Sequence, residues 1–135
     1  MFYAVIDTNV FVSAFITHNP DAATSKVVEC MFHGQIRPMY NDDIMAEYEE
    51  VLSRDYLHIS PMRRNALFAY IREYGMVAER KAFNKLLIDE SDRVFYEVAL
   101  SKEDSFLVTG NLKHYPQEPI VVTPAQMLQI IEEQI

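Results

Sequence analysis

Short apolar runs alternate with segments of helical period along the whole chain, and this alternation limits the fold more than any other feature. Phe2 to Ile6 is a continuous apolar run of strand length, followed by Val10, Phe11, Ala14 and Phe15 at helical spacing. Ala22 to His33 repeats the helical pattern and stops at Gly34, a residue suited to the left-handed position after a helix. Ile36 to Tyr40 reads as a second strand. Asn41 then caps a helix running to about Leu57, with Asp42 and Asp43 at the positive end of its dipole. Ser60-Pro61 starts another helix that Gly75 ends.

Residues 76 to 89 fit a short strand or an irregular connection equally well. A helix from about Glu90 to Lys102 carries the apolar stripe Val94, Phe95, Val98, Ala99. Strands at Ser105 to Val108 and Ile120 to Val122 follow, and Thr123-Pro124-Ala125-Gln126 is a capping box for a last helix. Strands separated by helices need crossover connections, so the expected fold is α/β, a three-layer sandwich with a central parallel sheet between helices. The 135 residues, half of them hydrophobic, suit one domain spanning 1–135.

Several classes are excluded. Lone Cys30 cannot form an internal disulfide and reads as a small buried hydrophobe. The apolar start ends at Asp7 without a basic flank, so it reads as a strand and not a signal peptide, and no apolar run approaches the roughly 20 residues of a membrane span. A cytoplasmic location is expected. His18, His33, His58 and His114 lack zinc spacing, and the three glycines punctuate elements without forming a phosphate-cradling loop. An aspartyl phosphotransferase also places an Asp at a strand end, but Asn9 stands where such a motif repeats Asp.

Oxygen donors fall where predicted elements end. Asp7 closes the first strand in Asp7-Thr8-Asn9, and Asn111 follows the Ser105 strand in Thr109-Gly110-Asn111. If those strands are parallel neighbours, their carboxyl ends open on one crevice, the usual ligand position in open α/β sheets. Acids and amides converging there suit a hard cation such as Mg²⁺ or Mn²⁺. Asp92 lies on the inward flank of its helix beside Ala99, although it and Asp89 are equally suited to capping. Periodicity does not separate Glu47 from Glu49. Ser13 and Thr109 read either as hydrogen-bond partners of Asp7 or as ordinary polar turns.

Charge is unevenly spread. The chain carries −8, which opposes binding to a phosphate backbone. Between Arg54 and Lys85, however, seven basic residues face three acids, a net +4, which leaves −12 for the remainder. A basic flank of Arg63, Arg64, Arg72, Arg80, Lys81 and Lys85 beside an acidic centre suits a nucleic-acid backbone. The alternative is a solvated helical face. Tyr70 and Tyr74 likewise suit either base stacking or helix packing.

These phrases together resemble the PIN-domain nucleases, in particular the small prokaryotic proteins classed as toxin components of toxin–antitoxin systems. The resemblance rests on Asp7-Thr8-Asn9-Val10, Glu47-Tyr48-Glu49-Glu50-Val51-Leu52, Asp89-Glu90-Ser91-Asp92-Arg93 and Val108-Thr109-Gly110-Asn111, in the same order over almost the whole chain. It implies a metal-dependent endoribonuclease whose Asp7, Glu47, Asp92 and Asn111 hold Mg²⁺ or Mn²⁺ and hydrolyse RNA, with Asn9, Ser13, Asp89 and Thr109 in support. It selects Glu47 over Glu49. RNA, a cognate antitoxin and a second copy of the chain are the implied partners. Asn111 departs from the Asp usual in the family. An amide oxygen still ligates a cation, but it removes one negative charge, so a catalytically weak RNA- or protein-binding module is the alternative.

Overall fold

The computed structural model describes residues 1–134. Its elements follow the alternation: β1 (Phe2–Ile6), α1 (Thr8–Ile16), α2 (Ala23–Phe32), β2 (Ile36–Tyr40), α3 (Asp42–Leu52), α4 (Pro61–Tyr74), β3 (Met76–Val77), α5 (Arg93–Leu100), β4 (Ser105–Val108), β5 (Val121–Val122) and α6 (Pro124–Glu133). The five strands form a parallel sheet in the order β3-β2-β1-β4-β5, sandwiched by helices. Ala4, Val5, Ile6, Leu107 and Val108 are fully buried, which explains why the central strands read as unbroken apolar runs: a parallel sheet is covered on both faces. α5 lies on β1 and β4 with α3 at its side, and α2 lies on β2 in contact with α1 and α6.

Strand order fixes the site. From β1 the chain moves outward to β2 and β3, then returns past β1 to β4 and continues outward to β5. The direction reverses between β1 and β4, so the crevice at their carboxyl ends is a topological switch point. Ile6 pairs with Val108 at that end, and the Asp7 amide donates to the Val108 carbonyl at 2.9 Å.

The predicted caps are in place. Asn41 Oδ1 accepts from the Ile44 amide at 2.8 Å, Ser60 Oγ from Arg63 at 3.2 Å, and Thr123 and Gln126 form the reciprocal box. Gly34 adopts φ +80°, as the helix stop requires. Gly75 serves a different need: a Cβ there would lie 2.4 Å from the Ile71 carbonyl oxygen and 2.8 Å from that of Pro38, so α4 meets β2 too closely for a side chain.

Two boundaries differ from expectation. The helix expected to reach Leu57 stops at Leu52, because the Ser53 hydroxyl donates back to the Glu49 carbonyl and a 3₁₀ turn over Asp55–Leu57 leads to His58 at φ +54°. The helix expected over Glu90 to Lys102 begins with a 3₁₀ turn at Glu90–Asp92 and is α-helical only over Arg93–Leu100. The ambiguous stretch after Gly75 holds both readings in sequence: β3 first, then an irregular connection.

Candidate active site

Asp7 is held by hydroxyl and amide donors. Its Oδ2 accepts from Thr109 Oγ1 at 2.8 Å, Tyr115 Oη at 2.9 Å and Asn9 Nδ2 at 3.3 Å. The side chain sits at the end of a central strand, so the residue is only 5 % exposed. Burial pushes its pKa above the ordinary carboxylate value, outweighing the hydroxyl donors that pull it down. Tyr115 is held still more firmly in its protonated form, by its own burial and then by the negative charge of Asp7.

Glu47 reaches the same crevice through an anchored helix. The fully buried Tyr48 donates its hydroxyl to the Ile6 carbonyl and packs edge-on against Phe11, which ties α3 to the last residue of β1. Its neighbour Glu47 is therefore half-buried beside Thr8, whose hydroxyl donates to Glu47 Oε2. Burial raises the Glu47 pKa, and the charges of Asp7, Asp92 and Asp89 raise it further.

Asp92 closes the 3₁₀ turn before α5 and is partly buried. His114 Nδ1 lies 3.1 Å from its Oδ2. Its pKa is raised by burial and then by the charge of Asp7. Asp89 is exposed and caps the turn, accepting from the Ser91 amide at 2.9 Å and hydroxyl at 2.7 Å; those bonds lower its pKa. One ligand atom each from Asp89, Asp92 and His114 lie within 4.8 Å of one another, a group able to hold a metal ion. Asn111 is exposed. Its amide N–H donates to Thr109 Oγ1 at 3.0 Å, and among the described residues its side chain has no hydrogen-bond partner.

Electrostatic balance distinguishes this cluster from the other buried acid of the chain. Burial alone would raise the Glu97 pKa, yet the Phe83 amide and the guanidinium groups of Arg80 and Arg93 hold it below the ordinary value. Asp7, Glu47 and Asp92 have no lysine or arginine in ion-pair range among the described residues, and all three pKa values are raised. Carboxylates withdrawn from water without a counter-charge are costly. The set is rich in oxygen donors and short of positive charge, which is what a hard divalent cation requires.

Other predicted residues are occupied elsewhere. Ser13 Oγ pairs with Thr24 Oγ1 at 3.1 Å, away from Asp7. Arg63 donates to the Phe15 carbonyl and covers the Phe15 ring, Arg64 donates to the Ile59 carbonyl, Arg72 pairs with Glu49, and Arg80 is bound to Glu97. Tyr70 donates to the Met31 carbonyl and packs against Phe32, so helix packing describes it. Lys81 and Lys85 are exposed. Sequence reading passed over Thr8, Tyr115, His114 and Glu97. No periodicity marks the first three, because Thr8 opens α1 and His114 and Tyr115 lie in and after a single 3₁₀ turn; Glu97 could have been noticed as a charge one residue from Val98 on the buried stripe.

No curated protein matches the chain, and no solved structure does. The sequence profile of a family described as PIN domain matches residues 3–113. That span runs from β1 through the loop carrying Asn111 and Lys113, and it contains the switch-point crevice with every acid described above. By this match and by its five-stranded parallel α/β sheet, the chain belongs to the PIN-domain family, whose fold is of nuclease type.

Proposed function

We propose that this protein is a divalent-metal-dependent endoribonuclease in which Asp7, Glu47, Asp92 and Asn111 hold Mg²⁺ or Mn²⁺. The observation that carries the reading is the weakly compensated charge of Asp7, Glu47 and Asp92 at the switch point, all with raised pKa values and none with a lysine or arginine partner among the described residues. When bound, such an ion supplies Lewis acidity for phosphodiester hydrolysis. The chain's residues supply orientation. Thr109, Tyr115 and Asn9 fix Oδ2 of Asp7, which leaves its other oxygen directed by the same rotamer. Thr8 fixes Glu47, and His114 fixes Asp92. Asp89 adds an exposed carboxylate at the mouth.

The test is cleavage of a single-stranded RNA by purified protein in Mg²⁺ or Mn²⁺, its loss in EDTA and its return with metal. Asp7→Asn is expected to abolish cleavage. Undiminished cleavage by that variant, or cleavage indifferent to EDTA, would remove the metal centre from the reading. Asn111, exposed and lacking the usual carboxylate charge, favours the second reading of a catalytically weak RNA- or protein-binding module; RNA binding without metal-dependent turnover supports it. The family resemblance further supports a toxin role in the cytoplasm, with an antitoxin and a second copy of the chain as partners. Growth arrest on expression, relieved by Asp7→Asn, is the expected outcome. Among the described residues no helix is long and apolar enough to cross a membrane.

A further inference from the structure

We infer that the groove between residues 83–88 and 112–118 holds a single strand of nucleic acid next to the acidic crevice, with Lys85 and Lys113 on its phosphates. The inference rests on the nuclease reading for what lies at the end of the groove, and on independent geometry for the groove itself. Two adjoining cavities of about 300 and 350 Å³ share Lys113, Tyr115, Pro116 and Glu118 as walls. They adjoin the site through two of their lining residues: Tyr115 donates to Asp7, and His114 contacts Asp92. A strand lying here is one side chain away from the acids.

The walls suit nucleotides. Leu86 is 92 % exposed and Ile88 75 % exposed, an apolar surface left open to solvent, and together with Pro116 they offer apolar contact to unstacked bases. Cations are the scarce resource in a chain of −8. The arginines of α4 and of the connection are spent on carbonyls and carboxylates, whereas among the described residues the ammonium groups of Lys85 and Lys113 have no hydrogen-bond or ion-pair partner, and both line this groove. Glu118 is the one acid lining the groove, which leaves it net positive against the acidic remainder. The wall bearing Lys85 is also preformed. Arg93 donates to the carbonyls of Phe83 and Lys85 and pairs with Glu90, while Glu97 accepts from the Phe83 amide at 2.9 Å. A groove held open before binding keeps the ordering cost low.

Fluorescence anisotropy with a labelled single-stranded RNA of about ten nucleotides tests this, in Ca²⁺ to neutralise the carboxylates and with the oligomer's integrity checked on a gel. A single-stranded DNA of equal length forms a second arm. The expected result is binding roughly ten-fold weaker in Lys85→Gln/Lys113→Gln, with the slope of log affinity against log salt shallower by about 1.4, two phosphates' worth for a single strand. Arg63→Gln/Arg72→Gln on α4 should bind as wild type does. Weaker binding of DNA alone or RNA alone assigns the groove to that polymer; no binding of either by wild type overturns the inference. So does an unchanged affinity in the lysine pair, or a loss confined to the arginine pair, as would capture of a protein segment that leaves nucleic-acid affinity untouched. The two readings separate cleanly: a wild type that binds through these lysines yet never cleaves keeps the groove and loses the nuclease, and a lysine pair that binds and cleaves as wild type does the reverse.

Discussion

Asp7 shows why a site residue can oppose the stability of its own fold. Its folded pKa is raised, so the folded protein holds a proton that the unfolded chain releases near the ordinary value of about 4. By linkage, the metal-free protein loses stability as pH climbs from that value through the folded one, and the loss then levels off. Asp7→Asn removes the charge while an amide oxygen still faces Thr109, Tyr115 and Asn9. The variant is therefore expected to match wild type in acid and to exceed it increasingly as pH rises, as urea unfolding without metal from about pH 4 to about pH 8 will show. A gap that does not change with pH would mean the charge of Asp7 is compensated. Asn111 poses the converse case. If it belongs to the metal set, Asn111→Asp adds a charge at the exposed edge of the site, where a pair of unit charges about 4 Å apart interacts by about 1 kcal/mol in water and more as the surroundings dry. A several-fold tighter Mn²⁺ titration by calorimetry is expected, and equal or weaker binding would place residue 111 outside the site.

At the scale of elements, two tethers bring separate segments to one crevice. Tyr48 binds α3 to the end of β1, and Glu97 binds the irregular connection to α5 through Phe83 and Arg80. The Glu97 tether should matter more to the connection than to the sheet. Glu97→Gln keeps an acceptor but leaves two guanidinium groups under-paired, and because Arg80 is substantially exposed the cost should be about 1 to 2 kcal/mol, below that of a fully buried pair. Hydrogen exchange should quicken at residues 81–93 and stay unchanged in β1 and β4. Uniform quickening would show that Glu97 supports the whole core instead. Tyr48→Phe tests the other tether: losing one bond to a carbonyl should cost about 1 kcal/mol of stability, and the carboxylate beside it should lose its fixed position. Mn²⁺ affinity falling more than stability is the expected pattern.

Across the whole molecule, metal and fold are coupled. The crevice gathers carboxylates from the end of β1, from α3 and from the turn before α5, so an ion held by Asp7, Glu47 and Asp92 together joins three parts of the chain and relieves their repulsion. At a hundred-fold excess over its Kd, a ligand of the native state adds about 2.7 kcal/mol. Thermal melts in Mn²⁺ should therefore shift upward by several degrees, EDTA should reverse the shift, and Asp7→Asn should show much less of it. Equal shifts in the two proteins would locate the binding elsewhere on this acidic chain.

The sequence by itself determined the alternation of elements, their caps and the placing of Asp7 and Thr109 at strand ends, because hydrophobic period and capping chemistry are local properties of neighbouring residues. The separation of strands by helices also implied a parallel sheet, since such strands need crossover connections, and the burial of β1 and β4 agrees with it. Which acids meet was not local. Periodicity left Glu47 and Glu49 equivalent, and it was the reach of Tyr48 to Ile6 that turned Glu47 inward and left Glu49 to pair with Arg72. The stretch rich in arginine suited a binding face and a solvated helical face alike, because composition counts charges without their partners. Only the fold decided that Arg63, Arg64, Arg72 and Arg80 are occupied, and that Tyr115 and His114 close the site, since all these contacts but the short reach of Arg64 to Ile59 join residues on separate elements.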